Sequence, residues 1–136
     1  MYEAHNSKRC TPKNQGNNLR NQPKYTIFKN TKYAFNGLVD MLKTETSFKI
    51  EVLLAIIFIP IIFLVDVTLM DKLLMFITLM GVLIAETINS AIERVVDLVT
   101  LEHHPMAGRA KDVGSSIVFL SIGVFLVVWG LILCNF

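Results

Sequence analysis

Glu86, Asn89, Glu93 and Asp97 follow one another at spacings of three, four and four within the segment AETINSAIERVVD, Ala85 to Asp97. On a helix that turns about 100° per residue they fall within a stripe about 80° wide, so three carboxylates and a carboxamide share one face. Hard oxygen donors in such a row suit Mg²⁺, which takes one or two carboxylates and completes its shell with water and substrate phosphates. Glu45 and Glu51 add two more carboxylates earlier in the chain. Downstream, GRAKDVGSS (Gly108 to Ser116) sets Arg109, Lys111 and Asp112 between glycines. A lysine there can offer a point charge to a phosphate, an aspartate can fix a metal or the lysine, and glycine permits close approach of backbone. Composition alone leaves a second reading open, in which Arg109 and Lys111 only anchor the chain at a membrane face.

Other chemistries fit less well. Glu102, His103 and His104 invite a zinc site, but adjacent histidines point in different directions on regular backbone and no thiol or spaced third imidazole assists. None of the seven glycines builds a Walker-type or dinucleotide-type phosphate loop. A phosphotransferase made from this chain must therefore rely on carboxylate-held Mg²⁺ and isolated basic groups. Cys10 and Cys134 stand near opposite ends, which supports neither a disulfide framework nor a thiolate metal site. A net charge of +2 with no basic, aromatic-interleaved patch gives no case for nucleic acid.

The elements that must position these groups are set by where the charge is absent. Of 136 residues 53% are apolar and only 18% charged, and nine of the thirteen Lys and Arg lie before residue 50. Residues 1–24 are rich in Asn, Gln, Lys and Pro, with little apolar surface to offset the entropy of ordering, and are expected to form a flexible polar tail without the features of a signal peptide. Over 25–43, Tyr25, Phe28, Phe35, Leu38, Val39 and Leu42 recur at helical spacing with lysines between them, which predicts an amphipathic helix on a membrane surface or one packed on protein. Three apolar stretches follow. The fourteen uncharged residues Val52 to Val65 become long enough to span only with the residues before them, giving about 48–65. The second span covers about 72–97 and carries the acidic stripe; the third, about 113–134, is the cleanest.

This predicts an all-α membrane protein. Lys and Arg gather before the first span and again at Arg94, Arg109 and Lys111, taken as the loop between spans two and three. The N-terminus and that loop are therefore expected in the cytosol and the C-terminus outside. An ionised carboxylate at the bilayer centre costs about 2.5–3.5 kcal/mol, so the stripe must be paired, metal-bound or in contact with water. Thirteen apolar residues before Glu86 are too few to have crossed the bilayer, which argues against a merely solvated polar face. Ser115, Ser116, Ser121, Gly123 and Gly130 allow close helix packing, and three thin spans do not easily enclose a polar site alone, which favours an oligomer.

The segments ETINSAIERVVD (Glu86 to Asp97), GRAKDVGS (Gly108 to Ser115) and TETSFKIE (Thr44 to Glu51) closely resemble the prokaryotic diacylglycerol kinase family, small integral-membrane lipid kinases, and the similarity runs over about 25–136. The resemblance implies a homotrimer whose chains each carry a surface helix and three spans, with composite sites between subunits that move the γ-phosphoryl of MgATP to diacylglycerol. It implies that Glu45 and Glu93 hold Mg²⁺ and that Glu86 is the base for the lipid hydroxyl, supported by Asn89. Lys111 and Asp112 would meet the ATP phosphates. Glu102, His103 and His104 would line the nucleotide end with Tyr33, and Ser115 and Trp129 would lie along the lipid's path. The chain departs from the family pattern at Thr26, where an Arg is common, and at Phe35-Asn36-Gly37, where Trp-Lys-Gly is common.

Two other readings compete. A relative within the family phosphorylates undecaprenol, although Glu86 to Glu93 and Ala107 to Asp112 look more like the diacylglycerol branch. From a different class, the stripe would serve as a proton or ion relay in a small transporter subunit, which predicts ion flux without ATP turnover and needs no Lys111 and Asp112 pair.

Overall fold

The computed structural model describes residues 27–134, so the tail expected over 1–24, Tyr25 and Thr26 lie outside the described residues. Four helices follow in order: α1 (Ile27–Thr44), α2 (Thr46–Leu64), α3 (Leu69–Val99) and α4 (Pro105–Cys134), with no strand among the described residues. The last three are long and apolar enough to cross a membrane. Phe63 and Phe119 are each about three-quarters exposed in the single chain, the inverse of a water-soluble domain. The chain is an all-helical membrane protein.

α1 and α2 are separated by one residue. Glu45 takes an extended conformation (φ −100°, ψ 116°) and breaks what would otherwise be a continuous rod. Lys49 closes the end of α1 by donating from Nζ to the Lys43 carbonyl at 3.0 Å. α1 buries Met41, while Phe35, Leu38 and Leu42 remain exposed, as expected of a helix whose apolar face is turned to lipid or to another chain.

α3 begins three residues before the expected boundary because Thr68 and Asp71 form a capping box. The Asp71 N–H donates to Thr68 Oγ1 at 3.2 Å, and the Thr68 N–H donates to Asp71 Oδ2 at 3.3 Å. α4 corrects a larger expectation: GRAKDVGSS is helix, not loop, and α4 starts eight residues earlier than 113. Pro105 occupies the first helical position, where its missing N–H costs nothing, and His104 acts as the cap, its Nδ1 accepting from the Met106 N–H at 3.2 Å. Arg94 is likewise inside α3 rather than in the connection.

α3 packs most extensively on α4 and also on α2. The core is Ala55 and Ile62 of α2, Met75 and Leu79 of α3 and Trp129 of α4. The indole of Trp129 lies 5.0 Å from the rings of both Phe58 and Phe125, and its Nε1 donates to the Met75 carbonyl at 3.2 Å.

Candidate active site

The acidic stripe lies where α3 passes from the apolar core to its polar end, and its first members are buried. Glu86, Asn89 and Ser90 are the buried polar side chains among the described residues. Ser90 lines a cavity with Leu38 and Met41 of α1, whereas Asn89 packs on α4, which comes close at one glycine. A Cβ on Gly114 would sit 2.6 Å from Asn89 Oδ1, closer than any side chain allows, so the missing side chain is what lets the two helices meet here. Gly108, at the other end of the same motif, has nothing within 4 Å of such an atom and plays no such part.

Asn89 joins the stripe together. Its Nδ2 donates to Glu93 Oε1 at 3.1 Å, one turn along the helix. Its Oδ1 is buried with no hydrogen-bond partner among the described residues, a condition that costs about 1–3 kcal/mol. Glu86 lies within electrostatic range of Glu93, Glu45 and Glu51, so four carboxylates from α2, α3 and the α1–α2 joint share one neighbourhood. Glu51 also has one buried oxygen without a partner and lines an apolar cavity of about 290 Å³ with Phe58, Val82 and Phe125.

Two cations meet this acidic group, and both partnerships escaped sequence reasoning. Lys111 Nζ lies 2.6 Å from Asp97 Oδ1, so its partner is the end of the stripe rather than its neighbour Asp112, which is exposed. Arg94 reaches Glu45 and Asp40 instead of serving only as a basic marker of the inner face. Contacts between helices distant in sequence leave no signal in spacing.

Beyond Asp97 the α3–α4 connection closes over an open cavity of about 220 Å³, lined by Asp97, Glu102, His103, His104, Gly108 and Lys111 among others. The structure thus brings the expected nucleotide-end residues to one place. With Nδ1 of His104 accepting from the backbone, its Nε2 carries the ring proton and is the nitrogen left to donate. Tyr33 does not line this cavity; it is exposed on α1. Ser115 is exposed on α4 one residue past Gly114. Trp129 is 4% exposed, and its partner Met75 is eleven residues before Glu86, about 16 Å along the helix, so a single chain gives it a core position away from the acidic group.

The donor set fits a divalent cation that arrives with phosphates. Glu45 and Glu93 offer hard carboxylate oxygens, and Arg94 takes up only Oε1 of Glu45. Among the described residues no three His, Cys, Asp or Glu side chains converge closely enough to hold a metal alone. One or two carboxylates completed by phosphate and water is the coordination habit of Mg²⁺.

Residues 32–133 match the family described as prokaryotic diacylglycerol kinase. Curated relatives agree. A diacylglycerol kinase of Haemophilus influenzae is 41% identical over 107 residues, covering 79% of this chain and 91% of its own length. A diacylglycerol kinase of Pseudomonas aeruginosa is 40% identical over 107 residues, covering 79% and 87%. An undecaprenol kinase of Bacillus subtilis is 31% identical over 92 residues, covering 68% and 75%.

Proposed function

Because this chain belongs to the prokaryotic diacylglycerol kinase family, we propose that it transfers the γ-phosphoryl group of MgATP to the hydroxyl of diacylglycerol, making phosphatidic acid at the cytosolic face of the bacterial inner membrane. The observation that carries this reading is the burial of Glu86 on a membrane helix, one turn before Asn89, which packs on α4 at Gly114. A buried carboxylate at the inner end of a span can touch a lipid hydroxyl held in the membrane and a nucleotide entering from water.

In this reading Glu86 accepts the hydroxyl proton as the lipid oxygen bonds to the γ-phosphorus and the bond from phosphorus to the β-phosphate oxygen breaks, releasing ADP. Glu45 and Glu93 would hold Mg²⁺, which would supply positive charge to neutralise that developing on the phosphates. Asn89 orients Glu93. Lys111 exchanges part of its contact with Asp97 for a phosphate oxygen, and Asp112 supports the phosphates from the next position. Glu102, His103 and His104 contact the nucleoside end, and Ser115 the lipid. Trp129 acts through the core that holds α4 in register. Tyr33, exposed on α1, joins the nucleotide end from a neighbouring chain of a homotrimer. The distribution of Lys and Arg supports a cytosolic N-terminus and an outer C-terminus.

The relatives named for diacylglycerol are more similar to this chain than the one named for undecaprenol, which favours the diacylglycerol acceptor. The test is a lipid panel: purified protein in mixed micelles with Mg²⁺ and γ-labelled ATP, offered diacylglycerol or undecaprenol. Label in phosphatidic acid at a rate at least tenfold above that in undecaprenyl phosphate is the expected result. The reverse preference reassigns the acceptor, and label in neither lipid ends the kinase reading.

A further inference from the structure

The guanidinium of Arg94 makes four hydrogen bonds to side chains 49–54 residues earlier in the chain. Nη1 donates to Asp40 Oδ2 at 2.6 Å and Nη2 to Thr44 Oγ1 at 2.8 Å. Nη2 and Nε donate to Glu45 Oε1 at 3.0 and 3.3 Å. The acceptors are themselves arranged. Asp40 and Thr44 are one turn apart on α1, and the Thr44 hydroxyl spends its proton on the Asp40 carbonyl at 2.9 Å, which leaves its lone pairs for the arginine. A single exposed ion pair adds little to stability, but a planar fork filled by three side chains is geometrically specific in a way that a lysine cannot copy.

What this fork does to Glu45 is the unusual part. Glu45 is the residue before α2, where an acidic side chain would ordinarily turn toward the free N–H groups and positive end of the helix that follows. It makes no such cap hydrogen bond. Its carboxylate is drawn instead to α3, onto the residue directly after Glu93 and within electrostatic range of Glu86.

We propose that Arg94 is a positioning residue of the kinase: it turns Glu45 away from its own helix and holds it, with one carboxylate oxygen uncommitted, beside the acidic stripe, while Asp40 and Thr44 fasten α1 to the same point. This rests on the reading that Glu45 takes part in phosphoryl transfer. Two functions are separable in the geometry, because Asp40 serves only the fastening and Glu45 only the site.

The experiment compares Arg94→Ala, Arg94→Lys, Asp40→Ala and Glu45→Gln in the full chain. It measures kcat and both KM values together with amide hydrogen exchange over residues 41–48. Arg94→Ala is expected to lower kcat about 10- to 100-fold, the scale of a misplaced group near the reacting atoms, with KM for ATP within about twofold, and to speed exchange at the α1–α2 joint. Asp40→Ala is expected to speed exchange over residues 41–44 as Arg94→Ala does but to lower kcat less than about threefold, since both bonds to Glu45 remain. Arg94→Lys is expected to fall between wild type and Arg94→Ala. Three results overturn the proposal: Arg94→Ala keeping the wild-type kcat while Glu45→Gln loses it, Asp40→Ala losing as much kcat as Arg94→Ala, or Arg94→Ala running faster at low Mg²⁺, which would make the arginine a competitor for Glu45. A Glu45→Gln enzyme at full rate would instead remove the underlying role of Glu45, and the inference with it.

Discussion

α3 and α4 are held together at two places by opposite means. At one, Trp129 fills the space between helices with the largest side chain available, ringed by Phe58 and Phe125 and bonded to the Met75 carbonyl. At the other, Gly114 offers no side chain, and α4 comes down onto Asn89. The first contact is apolar and its one polar atom is satisfied. The second packs on a carboxamide whose oxygen has no partner among the described residues, with a buried carboxylate one turn away. On the proposed function, stability resides at the aromatic end and chemistry at the glycine end, and the same helix pair allows the second because it has the first.

The sharpest way to break this division is at Glu86. Glu86→Gln keeps the shape and removes the proposed base, and is expected to cut lipid labelling about 10³-fold, somewhat above 4 kcal/mol of transition-state stabilisation, without lowering thermal stability. A comparable loss of stability would show that the buried carboxylate also holds the fold. Trp129→Ala probes the other end: a loss of about 3 kcal/mol in reversible detergent unfolding is expected, with the turnover of the folded fraction within about twofold. If turnover fell in proportion at low temperature, where the variant is folded, the aromatic end would belong to the site after all.

Gly114→Ala should show both effects, because the added methyl must push Asn89 off Glu93 or α4 off α3. A cost of about 1–3 kcal/mol in stability and about tenfold in kcat is expected, and Asn89→Ala in the same chain should recover packing but not rate. The smallest effect is expected at Asp97→Asn. Asp97 is about half exposed in its pair with Lys111, so stability should move by less than about 1 kcal/mol, while KM for ATP shifts a few-fold as the lysine loses its guide. An unchanged KM would place Asp97 outside the nucleotide's reach.

How much of this was legible beforehand depended on the kind of signal. Uncharged length and apolar periodicity are local properties; the three spans were readable from the first and α1 from the second to within a few residues, apart from the start of α4. That start was hidden because its cap is a histidine and its first turns carry Gly108, Arg109, Lys111 and Asp112, the composition of a loop. The stripe from Glu86 to Asp97 was readable because helical periodicity lies within one element. Which cation meets which carboxylate was not. Lys111 has an acidic neighbour in sequence yet pairs with Asp97 across the helix pair, and Arg94 reaches back to α1. Gly114 could be marked as permitting close approach, but only the fold distinguishes it from Gly108.

The joint at Glu45 has one more consequence. With a single extended residue between α1 and α2, the rotational phase of the surface helix is locked to that of the first span. Adding or removing one residue there would change that phase and carry Asp40 and Thr44 away from Arg94. Such a joint is sensitive to length as well as to residue type, so insertions and deletions should be purged from this point while they are tolerated in the turn before α3.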